Sequence, residues 1–139
     1  MVPGSSKTRA HRDLRAMGTG PLRGPTPFWS LRSRLGVRHP SWMRLSVDQV
    51  NRNLAELKGW SKEGEAIRRE FVMDGFASAV AFIVRIGFDA EAADHHPDIL
   101  LSRYKRVTLT FTTHNEGGLT EKDFAGAAAA DAVYASWTA

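Results

Sequence analysis

The chain has no cysteine, and that absence removes several chemistries at once. Disulfides, iron–sulfur clusters, zinc sites built on thiolates and thiol nucleophiles are excluded, while the redox compartment stays open. Long apolar runs are missing too. The longest nearly apolar stretch, residues 76 to 84, is closed by Arg85 and falls far short of the roughly 18 residues that span a bilayer. A soluble protein without a membrane segment is expected. At 139 residues the chain suits one domain with a modest core. Acidic residues are scarce at one end only. Residues 1 to 44 carry nine Lys or Arg against Asp13 alone, a balance of +8, whereas the rest holds ten basic and fourteen acidic residues, a balance of −4. The net charge of +4 therefore belongs to the N-terminal segment, and the domain itself is mildly acidic.

That first segment, residues 1 to 44, is rich in Arg, Pro and Gly, centres on GTGPLRGPTP and sustains neither a helical nor a strand period. It reads as a disordered basic tail. A solvated extension and upstream sequence added by an early start codon, with Met43 standing just before the domain, are the ordinary explanations. Its Arg- and Ser-rich, acid-poor composition also fits an organelle-targeting peptide, although the apolar centre of a secretory signal is missing. Arginines interleaved with Phe28, Trp29 and Trp42 suit at most weak contact with nucleic acid, which is not expected as a partner. A cytoplasmic location is the simplest expectation.

Order begins at LSVDQVNRNLAELKGW, residues 45 to 60. Ser46 and Gln49 form a capping-box signature, Val50, Leu54 and Leu57 recur at helical spacing, and Gly59 ends the predicted helix. A turn at Glu63-Gly64 leads into residues 65 to 73, where Ile67, Phe71 and Met73 share one face of a strand, so this part reads as a hairpin. From Asp74, the expected N-cap, to Ala93 a second helix carries apolar residues at Phe76, Val80 and Ile83 and at Ala77, Val84 and Phe88. So wide an apolar surface predicts cover on more than one side, by a sheet and by a partner subunit. Pro97 disfavours helix at the residue before it and makes a rigid turn that displays His95 and His96. Two strands are expected next, at 98 to 104 and 106 to 114. The second alternates Val107, Leu109 and Phe111 on one face with Thr108, Thr110, Thr112 and His114 on the other. Thr120 and Asp123 then open an alanine-rich third helix as a second capping box.

Three of the five histidines, His95, His96 and His114, fall within twenty residues, beside carboxylates and between predicted elements. Imidazole, with an unperturbed pKa of about 6.5, serves as acid or base near neutral pH. Each residue also has an ordinary explanation: Asp123 as a cap, Glu91 as a helix-end carboxylate, Trp60 and Tyr104 as packing, His114 as a surface residue. The exposed pair His95-His96 has no packing reason to be there. Two histidines and a carboxylate can also hold zinc or iron. Side chains of adjacent residues diverge on extended backbone, however, so no metal is expected.

The pattern Glu91, His95-His96-Pro97, Tyr104, His114, Asp123, with gaps of three, six, nine and eight residues, resembles the signature of the pterin-4a-carbinolamine dehydratase family. The likeness extends to the Leu-Ser helix start, to Gly59-Trp60 and to the Gly-Gly-Leu-Thr-Glu-Lys-Asp run, so it covers residues 45 to 139. It implies an α+β fold, α-β-β-α-β-β-α, whose four-stranded antiparallel sheet is covered by helices on one face. It also implies dehydration of 4a-hydroxytetrahydropterin, the product of aromatic amino-acid hydroxylases, to quinonoid dihydropterin, without cofactor or metal. Under that resemblance His95 and His114 are the acid/base pair and His96 joins them mainly by holding the pterin. Trp60 flanks the ring, Glu91 orients His95 or raises its pKa, and Asp94, Pro97 and Asp123 complete the substrate site. A homodimer or homotetramer is the expected assembly, with a hydroxylase as pathway partner. The alternative is a non-catalytic binding module, a coactivator or enzyme assembly factor, on the same fold.

Overall fold

The computed structural model describes residues 40–138. The predicted tail therefore lies outside the described residues as far as residue 39. Helix α1 spans Val47–Glu56, strand β1 Ser61–Glu63 and β2 Ala66–Val72. Helix α2 spans Phe76–Ala93, β3 Asp98–Ser102, β4 Arg106–Phe111 and helix α3 Glu121–Thr138. The order is α-β-β-α-β-β-α, and the strands form one antiparallel sheet in the order β1-β2-β4-β3.

Alternation along the two central strands builds the core. Ile67 and Phe71 on β2 and Val107, Leu109 and Phe111 on β4 point to the helix-covered face, all buried. Register pairs Ile67 with Phe111 and Phe71 with Val107, which brings these side chains into one layer. Helix α3 closes over them with Phe124, Ala127, Ala130 and Val133. Its small residues let it lie close: a Cβ on Gly126 would stand 2.4 Å from the Phe111 ring, so glycine there lets the ring press against the helix backbone.

Local signals explain most element starts. The Ser46 hydroxyl accepts from Gln49 N–H at 3.3 Å and the Gln49 side chain accepts from Ser46 N–H at 2.9 Å, the expected capping box. Helix α1 stops at Glu56, earlier than expected, and Gly59 with φ 87° turns the chain into β1. Helix α2 departs further from expectation. Its N-cap is Gly75, without a side-chain cap, instead of Asp74. Its buried stripe runs through Ala79, Phe82, Ile86 and Ala90, while Phe76, Val80, Val84 and Phe88 face outward, Phe88 with 72% of its surface exposed. Apolar residues surround this helix, so spacing alone cannot choose the stripe that meets the sheet.

The fourth strand is shorter than predicted. It ends at Phe111, and His114 opens a single 3-10 turn, His114–Glu116, instead of lying on the sheet's polar face. A bridge between Thr113 and Gly118 pinches this loop shut, and that pairing competes successfully with further extension of β4. Tyr104 likewise sits in the turn between β3 and β4, exposed and with φ 54°, and does not pack on the sheet. Among the described residues no helix is long and apolar enough to cross a membrane.

Candidate active site

The C-terminal end of α2, the start of α3 and the loop after β4 meet at one carboxylate. Asp123 stands in the first turn of α3 and is fully buried. Its Oδ2 accepts from Thr120 N–H at 2.9 Å, the N-terminal cap that the sequence predicts, and from the Thr113 hydroxyl at 2.8 Å. Its Oδ1 lies 2.6 Å from His95 Nε2. Asp123 thus caps the helix with one oxygen and meets a histidine with the other.

His95 reaches Asp123 because Asp94 ends α2 in the left-handed conformation, φ 48° and ψ 46°. Asp94 N–H and His95 N–H bond back to Glu91 and Ala90 carbonyls, which closes the helix and swings the chain inward. The His95 ring stacks at 21° on Phe111, with centroids 6.0 Å apart, and its side chain is only 12% exposed. An imidazole with one nitrogen on a buried carboxylate and one face on an aromatic ring is held in a single orientation.

His96 turns the other way, and its Nε2 lies 2.9 Å from Glu91 Oε2 on the surface. Glu91 thus partners His96, where the sequence reading gave it to His95: the i to i+4 relation favours His95, but the left-handed break at Asp94 rotates that ring inward and leaves His96 over the carboxylate. Pro97 follows and delivers the chain to β3. His114 directly follows Thr113, whose hydroxyl touches Asp123, so it belongs to the same loop. Its imidazole is exposed and takes no partner among the described residues.

Trp60 stands apart from this group. It is buried between Phe71 and Phe111, at 6.0 and 5.9 Å, and its indole N–H donates to Asp131 Oδ1 at 2.9 Å. It reaches the histidines only through Phe111, which packs on both Trp60 and His95. Asp131 also accepts from Arg69 at 2.7 Å, and its burial pushes the carboxyl above its ordinary value against the lowering effects of Trp60 and Arg69. A cavity of about 340 Å³, lined by Met73, Asp74, Ser78, Trp137 and Thr138 among others, opens at the other ends of α2 and α3. It contains none of the histidines. No cluster of three or more His, Asp or Glu side chains fit to hold a metal ion occurs among the described residues.

Three participants carry no clear sequence signal: Thr113, Thr120 as a hydroxyl partner, and Phe111 as the floor beneath His95. Thr120 and Asp123 were visible as a cap. The role of Thr113 depends on the Thr113–Gly118 bridge, for which the sequence offers only the two glycines.

The comparisons bear on the family and on the fold. The family model described as pterin 4 alpha carbinolamine dehydratase matches residues 43–133. A protein of Roseiflexus sp. provisionally named pterin-4-alpha-carbinolamine dehydratase is 51% identical over 81 residues, 58% of this chain and 86% of that one. One of Chloroflexus aurantiacus, with the same provisional name, is 51% identical over 90 residues, 65% of this chain and 96% of that one. Among solved structures, a transcriptional coactivator/pterin dehydratase from Brucella melitensis superposes with a TM-score of 0.63 at 38% identity, covering 66% of this chain and 98% of that one.

Proposed function

Because the chain belongs to the pterin 4 alpha carbinolamine dehydratase family, we propose that it dehydrates 4a-hydroxytetrahydropterin to quinonoid dihydropterin. The observation that carries this reading is the 2.6 Å contact between His95 and buried Asp123, with His96 and His114 on the flanking loops. In the reaction the C4a–O bond breaks. The hydroxyl leaves as water once an acid protonates it, the neighbouring ring nitrogen supplies the electron pair for the new double bond, and a base takes the proton that nitrogen then gives up. One proton is given and one taken, so the pair of groups returns to its starting state after one further proton exchange.

His95 and His114 are the acid/base pair in this proposal, and His96, with Glu91 beneath it, holds the pterin. Asp94 and Pro97 shape the turn that presents these histidines, and Asp123 orients His95. Each proton transfer of this kind contributes about 10² to 10⁴ in rate, enough for a leaving group that nitrogen already activates. The product suits recycling of the pterin used by aromatic amino-acid hydroxylases. The outward apolar row on α2, Phe76, Val80, Val84 and Phe88, supports a homodimer or homotetramer. The test is the decay of 4a-hydroxytetrahydropterin with and without the protein. Acceleration supports the proposal. A folded protein without effect would instead favour a binding module.

A further inference from the structure

The donors and acceptors around ionised Asp123 leave one direction for each proton. A carboxylate has acceptors only, so Thr113, 2.8 Å from Asp123 Oδ2, gives its one hydroxyl proton to that oxygen. Thr120 Oγ1 is 3.0 Å from Thr113 Oγ1, and since the Thr113 proton is already committed, Thr120 donates there. Thr120 Oγ1 in turn accepts from Lys122 N–H at 3.3 Å. The chain thus runs in one direction, from the first turn of α3 through two hydroxyls to the carboxylate. With Oδ2 saturated by Thr113 and Thr120 N–H, Oδ1 is left for His95, and its partner Nε2 must carry hydrogen. His95 Nδ1 has no partner among the described residues.

We propose that Thr113 is a positioning residue that, through Asp123, holds neutral His95 in its Nε2–H form and so leaves Nδ1 as the working atom toward the pterin. This rests on the dehydratase reading for its consequence, though not for its geometry. Without the Thr113 hydroxyl, Oδ2 keeps only one donor, and the carboxylate can rotate away from the His95 ring.

The experiment combines ¹⁵N spectra of the His95 ring with steady-state kinetics for wild type, Thr113→Val and Thr113→Ser. Wild type is expected to show protonated Nε2 and unprotonated Nδ1. Thr113→Val is expected to gain the Nδ1–H form and to lose kcat on the order of tenfold with little change in KM. Thr113→Ser is expected to restore both. Predominant Nδ1–H in wild type, or a Val variant with unchanged spectrum and kcat, would overturn the inference. If Thr113→Val does not fold, Thr113→Ala takes its place, with the same expected result and the same overturning one. A wild type that shows the Nε2–H form but no turnover would sink the dehydratase reading and leave the geometric inference standing.

Discussion

His95 Nε2 and Asp123 Oδ1 meet at 2.6 Å although they stand 28 positions apart in the chain. The contact joins the end of α2 to the start of α3, and the same carboxylate caps α3 through Thr120 N–H. Local helix chemistry and the orientation of the candidate catalytic histidine therefore depend on one side chain.

Replacing Asp123 with Asn should damage both roles. The amide offers one acceptor oxygen, so its NH2 group must face either the His95 Nε2–H or the donors on Oδ2. A buried donor left without a partner costs about 1 to 3 kcal/mol, and the misoriented imidazole should lower turnover on the order of 10-fold to 100-fold. Thermal melts and dehydratase kinetics on the same preparation check this. Unchanged melting and turnover would show that the contact matters for neither role.

Much of the fold was legible because the informative side chains report locally. Ser46 with Gln49 and Thr120 with Asp123 mark helix starts by hydrogen bonds closed within four residues. The alternation of Val107, Leu109 and Phe111 marks a strand whose inward face is set by backbone geometry alone. The departures from the sequence pattern share a cause as well. The outer side of α2 is as apolar as its inner side, so no period could show that Ala79, Phe82, Ile86 and Ala90 meet the sheet. Likewise the end of β4 depends on a pairing between Thr113 and Gly118, and the choice of His96 as partner for Glu91 depends on a left-handed residue at Asp94. Such tertiary or single-residue decisions leave no periodic trace. The candidate residues His95, His96 and Asp123 stand out by their clustering and by the family resemblance, whereas Thr113 does not, because a threonine at a strand end has many ordinary uses.

Asp131 supplies a pH dependence of stability with a definite sign. Burial raises its carboxyl above the ordinary value, so the folded chain keeps this proton at pH values where the unfolded chain has already released it. Stability from this group is then greatest below the unfolded pKa and is lost as pH rises through the raised value. Urea midpoints of wild type and Asp131→Asn, compared from acid to neutral pH, read the difference. Wild type should lose ground against the variant as pH rises through that window. A gain would mean that Arg69 and Trp60 outweigh burial.

The outward row on α2 makes a separate prediction. If Phe76, Val80, Val84 and Phe88 form a contact between copies, a charge at the most exposed of them should break it, because a carboxylate is costly to bury without a partner. Light scattering should give a dimer or tetramer for wild type and a smaller species for Phe88→Asp, with the helical content of each unchanged. A monomeric wild type, or an assembly indifferent to Phe88→Asp, would place the contact elsewhere or remove it.

Stopped-flow absorbance of 4a-hydroxytetrahydropterin decay decides whether this histidine group is a dehydratase site. Wild type should exceed the uncatalysed rate, and His95→Ala and His114→Ala should each lose on the order of 10² or more of that acceleration while remaining folded. A folded wild type that leaves the decay at its uncatalysed rate, or variants that keep the full acceleration, would contradict the account.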